Sequence, residues 1–251
     1  MILLVGYGFV GKAYYEAFKD IESINIVDPL YNNNKIANFP EAKGIIVCVP
    51  TPQSEDGSCD ISYVLTVLNE CPAHIPIMIK STVSIGGWKT IKHRFPNHSI
   101  TFSPEFLRAA TAIEDVLATS YVIIAEGDSD FWSSIYTKAF PKVVIYNMKA
   151  EQAITVKYFR NSFLATKVAF FNQIYDFCEK LDLDYRYVRE AIALDDRIGN
   201  SHTFVFEDSR GFGGYCFPKD TAALLSTAKA LEVDLSILEA AVEYNNDIVN
   251  E

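Results

Sequence analysis

Met1-Ile-Leu-Leu-Val-Gly6-Tyr-Gly8-Phe-Val-Gly11 opens the chain. A short apolar run stops at a glycine turn, and a helical pattern begins at once. Gly6 permits the turn, Gly8 lets backbone N–H groups approach a pyrophosphate, and Gly11 lets a helix pack against the strand. The start of that helix adds a positive field suited to phosphates. Asp28 ends the second apolar run, 22 residues after Gly6. A carboxylate there accepts hydrogen bonds from a ribose 2′-hydroxyl. Pro29, Leu30, Tyr31 and Asn32 follow it without an Arg or Lys for a 2′-phosphate, which favours NAD over NADP. A glycine turn in a sheet that binds something else is the competing reading.

Outward from this turn, short apolar runs alternate with helical stretches, as in βαβ construction. Strands are predicted at 2–5, 24–27, 44–49, 77–80, 99–102, 121–125 and 143–146, and in an open parallel sheet ligands sit at the strands' carboxyl ends. From Glu151 the period changes. Ala153, Ile154, Val156, Phe159, Phe163, Leu164, Val168, Phe171 and Ile174 recur at helical spacing over roughly 28 residues. Further helices are predicted at about 184–193, at about 218–231, and from about Leu235 onward. The expected architecture is therefore α/β: a Rossmann-like parallel sheet domain over 1–148, then an all-helical domain over 149–251.

Composition narrows the function. With 22 Lys+Arg against 32 Asp+Glu, the net charge is −10, so partners built on phosphate backbones or anionic lipid are not expected. The first residues lack a basic segment, and no apolar stretch approaches the ~18 residues of a membrane span. Cys48, Cys59, Cys71, Cys178 and Cys216 are odd in number and include no Cys-x-x-Cys pair, which argues for reduced thiols and a cytoplasmic location. His74, His93, His98 and His202 show no metal-ligand spacing, and no metal is expected.

The stretch richest in chemistry is Gly211-Phe-Gly-Gly-Tyr-Cys216-Phe-Pro-Lys219-Asp220. Its glycines expose backbone, and Pro218 suits the first turn of a helix. Cys216 then stands just before a helix N-terminus with Lys219 three residues on, and both features favour a thiolate. The alternative is a buried packing cysteine, the expected state of the other four. Asp220 reads equally as a functional carboxylate or as a complement to the helix dipole. Lys157 and Asn161, four apart on one helix face, read first as a solvated face. Glu105, in Ser-Pro-Glu-Phe-Leu-Arg, and Thr82, in Lys-Ser-Thr-Val-Ser, follow predicted strands, at the ligand end of the sheet.

Taken together, the motifs resemble the UDP-glucose/GDP-mannose dehydrogenase family. In order they are Gly6-x-Gly8-x-x-Gly11, Val49-Pro-Thr-Pro52, Ser81-Thr-Val83, Ser103-Pro-Glu-Phe-Leu-Arg108, Lys157-x-x-x-Asn161, Asp196-Arg-Ile-Gly199 and Gly211-Phe-Gly-Gly-Tyr-Cys-Phe-Pro-Lys-Asp220. The resemblance implies four-electron oxidation of a sugar's primary alcohol to a carboxylate with NAD, through a thiohemiacetal and a thioester on Cys216. It implies that Lys157 and Asn161 stabilise the oxyanion, that Glu105 serves thioester hydrolysis, and that Thr82 and Asp220 position water. It assigns the cofactor to Gly6, Tyr7, Gly8, Phe9, Val10, Gly11, Asp28, Pro50, Thr51, Thr82 and Lys219. Substrate falls to Phe106, Leu107, Arg108, Gly213 and Arg197, the last reaching a neighbouring subunit, so that the helical domain would form a homodimer. UDP-glucose is the expected substrate, with GDP-mannose the alternative.

Family members usually continue into a second nucleotide-gripping domain. The resemblance therefore also leaves room for a fragment, a short form, a part supplied by another polypeptide, or a non-catalytic NAD-binding dimerisation module. A two-electron hydroxyacid dehydrogenase, which needs no cysteine, is the remaining competitor. The stretch from Asp28 to Gly44 is short for the family, as though a helix were missing.

Overall fold

A computed structural model describes residues 1–54 and 57–249; Asn250 and Glu251, the end of the expected helical domain, lie outside them. The chain divides into two units, one of residues 1–54 and 59–157 and one whose body is residues 158–249.

The first unit is built on seven strands: β1 (Ile2–Val5), β2 (Ile24–Val27), β3 (Gly44–Val47), β4 (Ile77–Ile79), β5 (Ile100–Phe102), β6 (Tyr121–Ala125) and β7 (Val144–Met148). Their order in the sheet is β2-β1-β3-β4-β5-β6-β7. Strands β1 to β5 pair in parallel, with Val5 opposite both Val27 and Val47, and Val47 opposite Ile79. That register brings the ends of β1, β2, β3 and β4 to one edge, where Gly6, Asp28, Cys48 and Lys80 follow. The expectation of a wholly parallel sheet needs one correction. β5 meets β6 antiparallel through the single pair Phe102↔Ala125, while β6 and β7 run parallel. Between β5 and β6 lie a 3-10 turn and one six-residue helix, and an antiparallel neighbour needs no full crossover.

Helices α1 (Phe9–Phe18), α2 (Ser62–Glu70), α3 (Ile85–Arg94), α4 (Ala112–Leu117) and α5 (Ser129–Ala139) cover the sheet. Ile2, Leu4, Ile46, Met78 and Ile124 from the strands pack with Tyr14 and Phe18 of α1 and with Trp132 and Tyr136 of α5. Each such side chain withdrawn from water contributes about 1.5–3 kcal/mol before entropy is subtracted, so the strand ends sit on a stiff base. Between β2 and β3 there is only the 3-10 turn Ile36–Asn38, which matches the shortened connection seen in the sequence.

In the second unit run α7 (Tyr185–Ala193), α8 (Phe217–Ala230) and α9 (Ser236–Val249), together with most of α6 (Ala150–Lys180). All four helices lie close to their predicted spans. Asp184 caps α7 by accepting the Arg186 N–H. Ala165 and Ala169 of α6 pack with Phe212 and Ala241, and Phe171 and Cys178 pack with Tyr185. The apolar residues predicted at helical spacing along α6 fall on two faces. Its alanines and Phe171 are buried, whereas Val156, Phe159 and Phe163 are exposed and continue through Phe170 and Phe177. The spacing of three, four, seven and seven draws a second apolar line along the helix. Among the described residues, no helix is long and apolar enough to cross a membrane, and no group of three His, Cys, Asp or Glu could hold a metal ion.

Candidate active site

The glycines of the first turn divide by what the protein itself requires. Gly6 has φ +93°, and a Cβ on it would meet the Cys48 carbonyl oxygen at 2.7 Å. A Cβ on Gly11 would meet the Gly6 oxygen at 2.1 Å, so helix and turn are in direct backbone contact. Nothing lies within 4 Å of a Cβ on Gly8. Among the described residues no atom demands a glycine at position 8, and the space above it lies at the start of α1, where unsatisfied N–H groups favour an anion. The Asp28 carboxylate accepts the Tyr7 N–H at 2.6 Å and the Leu30 N–H at 2.8 Å, tying the end of β2 to the glycine turn. A carboxylate offers about four acceptor positions, which leaves two for ribose hydroxyls. These residues fit the adenosine and pyrophosphate parts of NAD.

Further along the same sheet edge, Ser81 Oγ donates to the Val49 carbonyl at 2.7 Å and joins the loops after β3 and β4. Thr51 is buried in that joint, Pro50 is exposed, and Thr82 is half-buried with its carbonyl accepting the Cys59 thiol at 3.2 Å. Beyond β5 stands Glu105, which is 5% exposed. Lys157 Nζ donates to Glu105 Oε1 at 2.6 Å and to its carbonyl oxygen at 2.7 Å, and the Leu107 N–H donates to Oε2 at 2.6 Å. Burial on its own would raise the Glu105 pKa, but the Lys157 ammonium and the Leu107 N–H outweigh it and hold the carboxyl below its ordinary value. Lys157 is thus no part of a solvated face.

In the second unit, Cys216 is the N-cap residue of α8, half-buried, with Pro218 in the first turn. The loop leading to it is held at both ends of Phe212. Asn245 Oδ1 accepts the Phe212 N–H at 2.6 Å, and Asn245 Nδ2 donates to the Phe212 carbonyl at 3.1 Å. Arg210 Nε and the Gly211 N–H both donate to Asn172 Oδ1, and Arg210 also reaches Asp176 at 2.7 Å. Gly211 has φ +74°, and a Cβ there would stand 2.5 Å from Asn245 Oδ1. Past the cysteine, Asp220 is 1% exposed. Its carboxylate accepts Lys219 Nζ at 2.7 Å and Asn161 Nδ2 at 2.6 Å. Asn161 is therefore buried against a carboxylate, and the Lys219 ammonium is held by Asp220.

The structure brings together Asp28 with Tyr7, Glu105 with Lys157, and Asp220 with Asn161 and Lys219. Two predicted substrate arginines stand at the surface beside acidic neighbours: Arg108 pairs with Asp115 at 2.5 Å, and Arg197 pairs with Asp195 at 2.5 Å. Phe106 and Leu107 are half-buried beside Glu105, and Gly213 is exposed, with open space where a Cβ would stand. Burial pushes the Cys48 and Cys71 thiols up to about 12, in keeping with packing roles. Sequence reasoning missed Lys80, Arg210, Asn172 and Asn245. Lys80 had a visible signal, a lysine closing the apolar run Ile77-Met-Ile; the two asparagines had none.

Comparison with known proteins follows the same division of the chain. Residues 30–139 match the UDP-glucose/GDP-mannose dehydrogenase family, NAD binding domain, and residues 151–247 match the central domain of that family. The UDP-glucose 6-dehydrogenase of Campylobacter jejuni is 37% identical over 224 residues, which is 85% of this chain and 55% of the relative. The UDP-glucose 6-dehydrogenase TuaD of Bacillus subtilis is 32% identical over 247 residues, 92% of this chain and 53% of the relative. A solved UDP-glucose dehydrogenase from Pyrobaculum islandicum superposes with a TM-score of 0.84 at 24% identity, over 98% of this chain and 67% of that one, and so shares the fold. The chain spans about half the length of the curated relatives it matches.

Proposed function

Because the chain belongs to the UDP-glucose/GDP-mannose dehydrogenase family, we propose that it carries the catalytic part of an NAD-dependent nucleotide-sugar 6-dehydrogenase, with UDP-glucose as substrate. The observation that carries this reading is Cys216, half-buried at the start of a fourteen-residue helix and reached through a glycine loop. A hydroxyacid dehydrogenase has no use for a sulfur nucleophile in that setting.

Two NAD⁺, bound in turn, would each accept one hydride from the sugar carbon, one for each oxidation. Gly6, Gly8 and Gly11 with the first N–H groups of α1 would hold its pyrophosphate, and Asp28 its ribose. Cys216 Sγ would add to the C6 aldehyde, giving a thiohemiacetal and, at the higher oxidation level, a thioester. Lys157 and Asn161 are the donors for the oxyanion of these adducts; each is buried against a carboxylate that keeps it in place. Glu105, ionised because Lys157 and Leu107 hold it so, would take a proton from the water that releases the uronic acid. Thr82 and Asp220 would position that water. Phe106, Leu107, Arg108 and Gly213 would line the sugar side.

The exposed line from Val156 to Phe177 supports the homodimer: a face of four phenylalanines in water is the surface a second copy would cover. Arg197, at the surface and held among the described residues by Asp195, has the freedom to exchange that partner for a neighbouring subunit's ligand.

The test is a panel of nucleotide sugars incubated with NAD⁺. Two NADH per UDP-glucose are expected, and Cys216→Ser is expected to leave at most one. Absence of NADH from UDP-glucose, GDP-mannose and the N-acetyl sugars overturns the reading. Sedimentation is expected to show a dimer that Phe163→Glu dissociates.

A further inference from the structure

Lys80 follows β4 directly, is 1% exposed, and has no place in the chemistry above. Its three ammonium donors have three acceptors: Ser103 Oγ at 2.9 Å, the Tyr136 hydroxyl at 3.1 Å and the Pro104 carbonyl at 3.4 Å. The Tyr14 ring lies beneath it, 4.4 Å from Nζ to the centroid. Among the described residues no carboxylate lies within ion-pair distance of it. Burying an ammonium among neutral groups is unfavourable, and a methionine would fill the same apolar space. Two of its three acceptors belong to the residues immediately before Glu105.

We propose that Lys80 is a positioning residue for Glu105, fixing from the buried side the turn on which that carboxylate stands. The strand register explains the reach. Ile79 lies opposite Phe102, so the residue after β4 faces the segment leaving β5, and a lysine stem spans from one strand end to the next turn. The Ser103 hydroxyl and Pro104 carbonyl are then pinned to the core, while Lys157 and the Leu107 N–H hold the carboxylate from the other side. Proline at 104 has no N–H, so the turn gets no ladder bond there and relies on side-chain donors.

Electrostatics agree with the geometry. The groups that face Lys80 are Tyr14 from α1, Cys48 after β3, Ser103 and Glu105 after β5, Tyr136 from α5, and Lys157. Burial lowers the Lys80 amine to about 7, with Glu105 and Cys48 opposing the fall. In the acid range where Glu105 titrates, Lys80 is therefore charged, and it adds to Lys157 in keeping Glu105 ionised.

The inference rests on the reading of Glu105 as the hydrolytic base, and its test is read first without substrate. In the full chain, the carboxyl carbon of Glu105, assigned by its loss in Glu105→Gln, is followed by NMR from pH 2.5 to 7. Lys80→Met is expected to raise the proton affinity of Glu105 at least threefold. It is also expected to speed exchange of the Leu107 amide at least tenfold while the β1 amides stay protected. If Lys80→Met fails to fold, Ser103→Ala, which removes one of the three acceptors, is expected to speed the Leu107 exchange in the same way. A folded Lys80→Met, or failing that a folded Ser103→Ala, with Glu105 and Leu107 unchanged overturns the proposal. Turnover is measured second: Lys80→Met is expected to lower kcat with KM unchanged and to move the acid limb of kcat to higher pH. A chain that makes no NADH while Glu105 still responds to Lys80 would sink the dehydrogenase reading and leave the positioning role standing.

Discussion

The two units fix their reactive side chains by different means. In the first, Glu105 stands at a strand end, its place set by a parallel register and an apolar core, and its charge by buried lysines. In the second there is no sheet among the described residues. Cys216 stands on a loop whose path is set by the side-chain amides of Asn172 and Asn245 and by Arg210, and then by the start of α8. Where a sheet exists, hydrophobic pattern alone delivers the residue to the ligand edge. Where it does not, polar side chains must stand in for the missing ladder. The contrast implies that charge reversal or removal should hurt the first unit most, and loss of a neutral amide the second.

The largest expected effect follows from breaking the buried pair. Lys157→Met leaves Glu105 charged, buried and held by one N–H, which should cost about 3–5 kcal/mol; the double change with Glu105→Gln should recover most of it. Urea unfolding measures both. Equal loss in the single and double variants would mean that Lys157 works through its stem and not its charge.

A smaller loss is expected in the second unit. Asn245→Ala removes two neutral hydrogen bonds, those to the Phe212 N–H and carbonyl, each with a net contribution of about 0.5–1.5 kcal/mol. Exchange of the Phe212 amide should rise by more than tenfold, with the first unit's amides unaffected. If the Glu105 environment loosened equally, the two units would not hold their reactive groups independently.

Dependence on pH separates two groups within the first unit. The folded-state pKa of Glu105 is depressed, so its contribution is present above about 4.5 and is lost as pH falls through the folded value. The wild type should therefore lose its advantage over Glu105→Gln below about pH 4.5. Lys80 acts in the opposite window. Its amine falls from 10.5 to about 7 on burial, so between those values the folded chain holds fewer protons than the unfolded one. Stability from this group rises with pH there, by up to about 1.4 kcal/mol per pH unit. Thermal unfolding from pH 6 to 10 should show that rise in the wild type and not in Lys80→Met.

The same contrast explains what could be read from the sequence. All seven strands and the four later helices were legible because short apolar runs mark strands of a covered sheet, several of them buried at every residue, and apolar spacing near 3.6 marks helices. The antiparallel β5–β6 contact was not, since strand direction leaves no trace in a three-residue apolar run such as Ile100-Thr-Phe102. The α6 pattern misled for a related reason: Val156, Phe159 and Phe163 are apolar at helical spacing, yet spacing cannot tell a buried face from an exposed one. Lys157 and Asn161 looked solvated because their partners, Glu105 and Asp220, lie 52 and 59 residues away. Asn172 and Asn245 were invisible, as an asparagine's role depends on which backbone it faces. Motif order carried Cys216 and Glu105, and their neighbours needed coordinates.

The smallest expected effect on stability tests the cofactor edge itself. Gly6 and Gly11 are required by the fold: a methyl group on Gly11 would lie 2.1 Å from the Gly6 carbonyl, a contact that forces helix and turn apart. Gly8 is not, because its ordinary φ of −71° and the open space around it accept alanine without strain. Gly8→Ala should therefore shift the unfolding midpoint by no more than about 0.5 kcal/mol, the range of a harmless surface change. If the pyrophosphate lies over the turn, however, that methyl occupies the position the phosphate needs, and the NAD dissociation constant measured by calorimetry should rise at least tenfold. A variant that is stable and binds NAD normally would show that the open side of the turn faces water and that the dinucleotide, if bound, sits elsewhere along the strand ends. The pairing of a silent stability result with a loud binding result is what distinguishes a glycine kept for a ligand from one kept for the backbone.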